Sequence, residues 1–407
     1  MTSAAVRSAG VAGVAGLRGA SGAVVRRPSR VMVRRVGQVT FAVAAVALLL
    51  GVALPRVAGV SWSTAGSVIG SVEPWQLLGL GALWLLGLWA YSFVMAASLP
   101  GLTKGQGMAL NLVGSGVSNL VPFGGAVGVG VTWKMARQYG FSHRSLGLFT
   151  AVTGVWNVLA RLALPVVGVA GLLAVGARVD GPVRLAALVA AGLCCALGAL
   201  VGVALAREAT ALRVARWANT IGRGVAGVLR REAPGPVDGE LLALRGNTLA
   251  LLQARRAGLV LGMLGHVTLQ GVLMWACLAA VGSELGAAEV TSAYALGRML
   301  TIVVLTPGGT GFAETGAVAT LIALGGDPAT SLAGVLLFSF FTFVCEIPGA
   351  ALAYGWHLAA RHWRREPVVD PMTERLKDHS RSARALDTTL TIDDNPTTCG
   401  RGNIRAA

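Results

Sequence analysis

Four ionisable residues lie inside long apolar stretches of this 407-residue chain: Arg161, Arg298, Glu314 and Glu346. A charged side chain at the centre of a membrane helix costs about 2.5 to 3.5 kcal/mol on insertion scales, so such groups usually face a cavity or pair with one another. A guanidinium binds phosphate through two parallel hydrogen bonds, and a carboxylate balances its charge. These residues therefore predict a polar site in an apolar protein, although a purely structural Arg to Glu pair would use the same residue types.

Arg298 and Glu314 flank a glycine-rich break in the sequence. We expect Glu314 on the first turns of the helix after the break, where backbone amides and the positive end of the helix dipole stabilise a carboxylate. We expect Arg298, on the preceding helix, either to reach Glu314 or to bind a phosphate. Arg161 and Glu346 lie at similar depths in two other stretches, so we expect them to approach each other.

Uncharged polar residues occur in the same stretches. Asn111, Asn119 and Asn157 either line a polar path or bridge helices, and the sequence favours neither interpretation. For His266 a helix-bridging role is favoured over a role as a proton relay.

The composition indicates that this chain is embedded in a lipid bilayer. Hydrophobic residues make up 54% and charged residues only 13% of the sequence, and the mean hydropathy is +0.67. A soluble globule of this size carries more charge. The formal net charge of +16 would suit nucleic acid, but the arginines gather beside apolar stretches, where they set topology and meet anionic lipid, so no nucleic-acid partner is expected.

The apolar stretches are long enough for helical spans, which predicts an all-α polytopic membrane protein. They cover about residues 36–55, 74–98, 107–132, 145–176, 184–206, 257–282, 291–326 and 329–357.

Two of the eight stretches do not read as continuous helices, because proline and glycine interrupt them. The residues at the breaks in 107–132 and 291–326 are Pro122, Gly124, Gly125 and Gly128, and Pro307, Gly308, Gly309 and Gly311.

The flanking charges predict how these two stretches lie. Basic residues flank 107–132 on both sides, so this segment should enter and leave on the cytoplasmic side as a re-entrant hairpin. Acidic residues flank 291–326, which should therefore dip in from outside. The expected fold has about six full spans and two oppositely oriented re-entrant hairpins in an inverted repeat. The alternative is two glycine-rich full spans and a different topology.

The basic segments divide the chain into five regions with both termini in the cytoplasm. These are a basic leader (1–35), a first membrane half (36–206), a basic amphipathic cytoplasmic loop (207–256), a second membrane half (257–360) and a disordered cytoplasmic tail (361–407). Within the loop, Asp238 is a candidate cap for a short helix that leads into the next span. An uncleaved first span is favoured over a cleaved signal peptide.

Three common catalytic motifs are missing from the sequence. There is no Ser-His-Asp constellation, no HExxH and no GxxxxGK[ST] phosphate loop. We therefore expect no enzyme, no catalytic residue, no bound metal and no cofactor.

Two motifs carry a resemblance to a known family. The segments Asn119-Leu-Val-Pro-Phe-Gly-Gly-Ala-Val-Gly128 and Thr306-Pro-Gly-Gly-Thr-Gly-Phe-Ala-Glu314 resemble the lysylphosphatidylglycerol synthase transmembrane, or flippase-like, family over about residues 36–360. The resemblance implies a polytopic inner-membrane protein that moves lipid between leaflets and argues against lysyl transfer, since the chain has no soluble synthase domain. Many relatives have an acidic residue after the glycine pair, where this chain has Ala126, so a different substrate is plausible.

These observations together predict a transporter for a phosphate-bearing lipid. Arg161 and Arg298 are expected to bind the phosphate, Glu314 and Glu346 to balance them, and the glycine-rich helix ends to add amide donors. Expected partners are anionic lipids, another copy of the chain or a cytoplasmic envelope enzyme. The alternatives are another class of polyprenyl-phosphate transporter with re-entrant hairpins, a non-transporting scaffold, and a lipid-modifying enzyme.

Overall fold

The structure is a computed structural model that describes residues 44–363 with six gaps. The gaps are 45–46, 121–123, 177–180, 208–237, 302–305 and 307–308, and within 208–237 only Arg213 and Thr220 are described. The described residues form helices and turns, and no strand occurs among them. The predicted leader, the tail beyond 363 and most of the predicted amphipathic loop lie outside the described residues.

Twelve α-helices follow one another in this part of the chain. They are α1 (Leu54–Ala58), α2 (Trp62–Gly70), α3 (Pro74–Ser98), α4 (Lys104–Leu120), α5 (Gly124–Gln138), α6 (His143–Ala174), α7 (Gly181–Ala206), α8 (Asp238–Ala280), α9 (Ala287–Leu300), α10 (Phe312–Ala323), α11 (Pro328–Ser339) and α12 (Glu346–Trp363). A π-helical turn (Leu49–Ala53) precedes α1, and a second one (Phe340–Val344) joins α11 to α12.

The starts of the long helices follow from local sequence. The Ser142 hydroxyl accepts a hydrogen bond from the Ser145 backbone N–H at 3.1 Å and caps α6. Asp327 caps α11 in the same way, through the Thr330 N–H at 2.9 Å, with proline at the first helical position. Both arrangements satisfy amides that a helix leaves without partners at its first turn. Helix α8 begins at Asp238 and runs into the next span through a kink at Arg255.

Four stretches of helix are long and apolar enough to cross a membrane, namely Pro74–Ser98, His143–Ala174, Gly246–Ala280 and Pro328–Ala360. They match four of the six predicted full spans and support a polytopic membrane protein. Of the other two predicted spans, 36–55 is described only in part, within the short apolar helix Leu49–Ala58, and 184–206 lies in α7, whose apolar portion is Ala191–Val203. A count of six spans therefore stays a prediction.

The two interrupted stretches fold as helical hairpins. Helices α4 and α5, which we call hairpin one, run antiparallel, because Thr132 donates to the Leu110 carbonyl at 3.5 Å and Ser118 donates to the Gly124 carbonyl at 3.2 Å. The four arms of the two hairpins have 17, 15, 14 and 12 residues.

Hairpin two consists of α9 and α10. A Cβ added to Gly297 would touch Ala317, and one added to Gly316 would touch Leu300, so these two helices also run antiparallel. Neither interrupted stretch forms a single continuous helix, as the prolines and glycines predicted.

The helices pack in a reciprocal pattern. Helix α3 packs along α8, the first arm of hairpin one (α4) packs on α12, and the first arm of hairpin two (α9) packs on α6. Each hairpin therefore packs against the span that follows the other one.

Candidate functional site

A polar cavity of about 480 Å³ is lined by described residues on either side of both hairpin breaks, and we call it the main cavity. Its volume falls within the range of small-ligand sites. Hairpin one lines it along most of both arms, from residues 110–119 and 124–133, whereas the described part of hairpin two contributes four residues near its break. The side chains that bring charge or hydrogen-bonding groups to it are Tyr91, Asn111, Ser115, Ser118, Asn119, Thr132, Trp133, Thr150, Thr153, Asn157, Arg161, His266, Gln270, Arg298, Thr301, Thr306, Thr342 and Glu346.

Three of the four predicted ionisable residues line this one cavity. Arg161, Arg298 and Glu346 come from α6, α9 and α12, and Arg298 interacts electrostatically with both of the others. The Glu346 carboxylate accepts a hydrogen bond from the Asn119 amide at 3.0 Å. Asn119 also lies 3.5 Å from the Thr342 carbonyl. The tip of hairpin one is thereby fastened to the last span at the glutamate.

Glu314 occupies a different place. It is 2% exposed and lies on the first turn of α10, where its carboxylate accepts from the Gly311 N–H at 2.6 Å and from the Ser339 hydroxyl at 3.0 Å. Its position at the helix start is the one predicted. It lines a second cavity of about 30 Å³, the minor cavity, together with Arg298, Ser339 and Phe343.

The predicted glycines separate into two groups. Gly124, Gly125, Gly128 and Gly309 line the main cavity, whereas Gly311 packs against Leu49. The remaining predicted residues, Pro122, Pro307 and Gly308, lie outside the described part of the chain.

Two glycines of hairpin one permit close contact between its arms. A Cβ on Gly124 would lie 2.1 Å from the Ser118 carbonyl oxygen, and a Cβ on Gly128 would lie 2.4 Å from the Gly114 carbonyl oxygen. Gly309 and Gly311, in hairpin two, have φ values of +78° and +91°, which favour glycine. The motif glycines thus shape the hairpin tips as well as the cavity wall.

Several lining residues were not singled out from the sequence. Gln270 is 4% exposed and its Oε1 has no hydrogen-bond partner in the described structure. Tyr91 accepts from Asn157 at 2.6 Å and its ring lies 4.9 Å from that of His266. A polar amide within the apolar stretch 257–282 was a usable signal for Gln270, whereas no local pattern marks Tyr91.

The fold and the cavity define a class of protein: a membrane-embedded, multi-pass, all-helical protein with an arginine-containing internal cavity. The sequence profile described as the lysylphosphatidylglycerol synthase transmembrane region matches residues 39–349. The chain belongs to this family, as its two glycine-rich motifs indicated. No curated protein matches the chain.

Proposed function

We propose that the protein is a flippase-like transporter that moves a phosphate-bearing lipid between the two leaflets of the cell membrane. The observation that carries the proposal is the pair of arginines, Arg161 and Arg298, facing one polar cavity between two hairpin tips. Guanidinium groups recognise phosphate bidentately, and the acyl or prenyl chains of the lipid would stay in the bilayer. In this proposal the chain transports a lipid and does not synthesise one.

The proposed topology has six spans and two re-entrant hairpins of opposite orientation. The longest hairpin arm has 17 residues, which at 1.5 Å per residue is shorter than the roughly 30 Å of a bilayer core. Irregular backbone at membrane depth is tolerated where it lines a cavity, which is where both tips lie. The reciprocal packing of α4 on α12 and of α9 on α6 is the pattern that an inverted repeat generates.

The two cavities suggest how access would alternate. The main cavity is lined chiefly by hairpin one and α6. The minor cavity is lined chiefly by hairpin two and α11, which are the equivalent elements of the second half. Arg298 and Thr301 line both cavities. We propose that the minor cavity is the closed counterpart of the main one, and that transport exchanges which of them is open. In the proposed topology, which follows from the basic flanks, the main cavity and both termini lie on the cytoplasmic side.

Transbilayer movement of labelled phospholipids and polyprenyl phosphates in liposomes tests this function. We expect wild-type protein to move at least one of these lipids, and Arg161→Gln and Arg298→Gln to slow it by about 100-fold, as loss of a charge-assisted contact predicts. Arg256→Gln, an exposed arginine of α8, is the matched control and should retain movement.

Two results would contradict the proposal. If the wild type moves none of the lipids, the scaffold alternative is favoured, in which a membrane-bound chain recruits a cytoplasmic envelope enzyme. If both cavity variants move lipid at the wild-type rate, transport does not pass through the main cavity.

A further inference from the structure

Five hydroxyl groups around the main cavity already donate their hydrogens to the backbone. Those of Ser118, Thr150, Thr153, Thr301 and Thr342 donate to backbone carbonyls three or four residues earlier, at distances of 2.6 to 3.0 Å. A hydroxyl that donates its hydrogen keeps lone pairs that accept. To a ligand these five side chains therefore offer acceptors and no donors.

Two further side chains extend this acceptor surface. The Gln270 Oε1 is buried and without a partner in the described structure, and a buried unpaired acceptor is costly unless a ligand or water supplies a donor. The Nδ1 of His266 lies 2.8 Å from the Gly87 carbonyl. Since a carbonyl only accepts, Nδ1 carries the hydrogen, and Nε2 of the neutral ring is an acceptor.

The charged groups in the cavity, by contrast, supply hydrogen-bond donors and positive charge. Its described charged residues are Arg161, Arg298 and Glu346, which leave a net positive charge. The glutamate already accepts from Asn119 and interacts with Arg298. An anion therefore finds guanidinium donors in this cavity, whereas an ammonium group meets excess positive charge and a carboxylate that is already engaged.

We infer that the head group taken by the main cavity is a phosphodiester that carries hydroxyl groups and no ammonium group. Its phosphate oxygens accept from the arginines, and its hydroxyls donate to the acceptors around Gln270 and the threonines. Glycerol, inositol and hexose phosphodiesters have this chemistry, whereas an aminoacylated head group does not. The inference rests on the proposed function and departs from the lysyl lipid in the description of the family.

Binding of short-chain lipids to the full-length protein in detergent tests the inference. The probes are dihexanoyl forms of phosphatidylglycerol, phosphatidylethanol and lysyl-phosphatidylglycerol. The first two have the same charge and differ in hydroxyl groups, and the third adds ammonium groups. We expect phosphatidylglycerol to bind about tenfold more tightly than phosphatidylethanol, since unmet acceptors cost that much. We expect it to bind more tightly than lysyl-phosphatidylglycerol as well, because the ammonium groups meet the excess positive charge of the cavity. A short-chain prenyl phosphohexose, as a fourth probe, distinguishes a glycerolipid from a prenyl carrier.

Three variants test which residues recognise the hydroxyl and phosphate groups of the lipid. Gln270→Met should weaken phosphatidylglycerol binding by about fivefold and leave phosphatidylethanol binding unchanged, because only the hydroxyl contact is lost. Arg298→Gln should weaken both. Thr320→Val, whose hydroxyl donates to the Gly316 carbonyl away from either cavity, should change neither.

The outcomes separate this inference from the proposed function. Equal binding of phosphatidylglycerol and phosphatidylethanol, or tighter binding of the lysyl lipid, overturns the head-group inference and leaves transport of a phosphate lipid standing. Absence of binding by all four probes contradicts both. Equal loss of both anionic lipids in Gln270→Met would show that Gln270 acts on folding and not on hydroxyl recognition.

Discussion

The two hairpins have the same architecture but opposite surroundings. Hairpin one borders a polar cavity of about 480 Å³ along both of its arms, while hairpin two borders a much smaller cavity of about 30 Å³. Hairpin two brings Arg298 to the main cavity and Glu314 to the minor one, whereas the described residues of hairpin one that line the main cavity are uncharged and reach Glu346 through Asn119. The difference teaches that hairpin one supplies most of the wall of the main cavity and hairpin two one of its arginines, so that the polar site needs both hairpins.

The largest expected effect comes from filling the main cavity. A Cβ on Gly125 meets no atom within 4 Å, and the residue lines the main cavity. Gly125→Trp should therefore abolish lipid movement in the liposome assay while the protein still folds, because the indole occupies the space of the head group. Gly130→Trp, on the same helix and equally free of contacts, is the control and should keep transport. If the two variants transport alike, the main cavity is not the route.

Glu314 provides the next test, because the structure gives it a capping role inside hairpin two. Glu314→Ala leaves the Gly311 N–H and the Ser339 hydroxyl without their partner, which should destabilise the protein by about 3 kcal/mol. Thermal unfolding in detergent measures this loss. Glu314→Gln keeps an acceptor for Gly311 and should recover most of the stability.

The glutamine variant decides between capping and charge. Transport by Glu314→Gln near the wild-type rate supports capping alone. If Glu314→Gln is as stable as wild type but does not transport, the negative charge itself serves the lipid site, as the sequence predicted.

The reciprocal contacts of the hairpins should show a smaller loss of stability. A Cβ on Gly116 of hairpin one would lie 2.5 Å from the Ala350 Cβ, and one on Gly168 of α6 would lie 2.9 Å from the Ser292 Cα of hairpin two. Substitution of either glycine by alanine should cost about 2 kcal/mol, since packed interfaces resist added volume. Gly171→Ala is the control, because its Cβ meets atoms only at 3.9 Å. Loss of stability in only one of the two variants would break the equivalence of the hairpins.

How much of the structure the sequence predicts depends on whether a feature is set by neighbouring residues or by contacts between distant helices. Proline and glycine act locally, so both hairpins and the place of Glu314 on the first turn of α10 were predictable. The cost of burying charge marked Arg161, Arg298 and Glu346, which do share a cavity. The threonine hydroxyls were not predictable, because their residue type is ordinary in helices and only their placement turns them toward the cavity. The partner of Glu314 was equally hidden, since Ser339 lies on another helix.

The smallest expected effect concerns the contact between hairpin two and α11. Ser339→Ala removes the hydroxyl that donates to Glu314, while Gly311 still supplies a donor, so a loss of about 1 kcal/mol is expected. Ser331 lies on the same helix, fully buried, and its hydroxyl has no partner in the described structure. Ser331→Ala should therefore leave stability unchanged or raise it, because an unpaired buried hydroxyl disappears. Equal melting temperatures for the two variants would mean that Glu314 is held by its own helix alone, and hairpin two would then be as free to move as an alternating transporter requires.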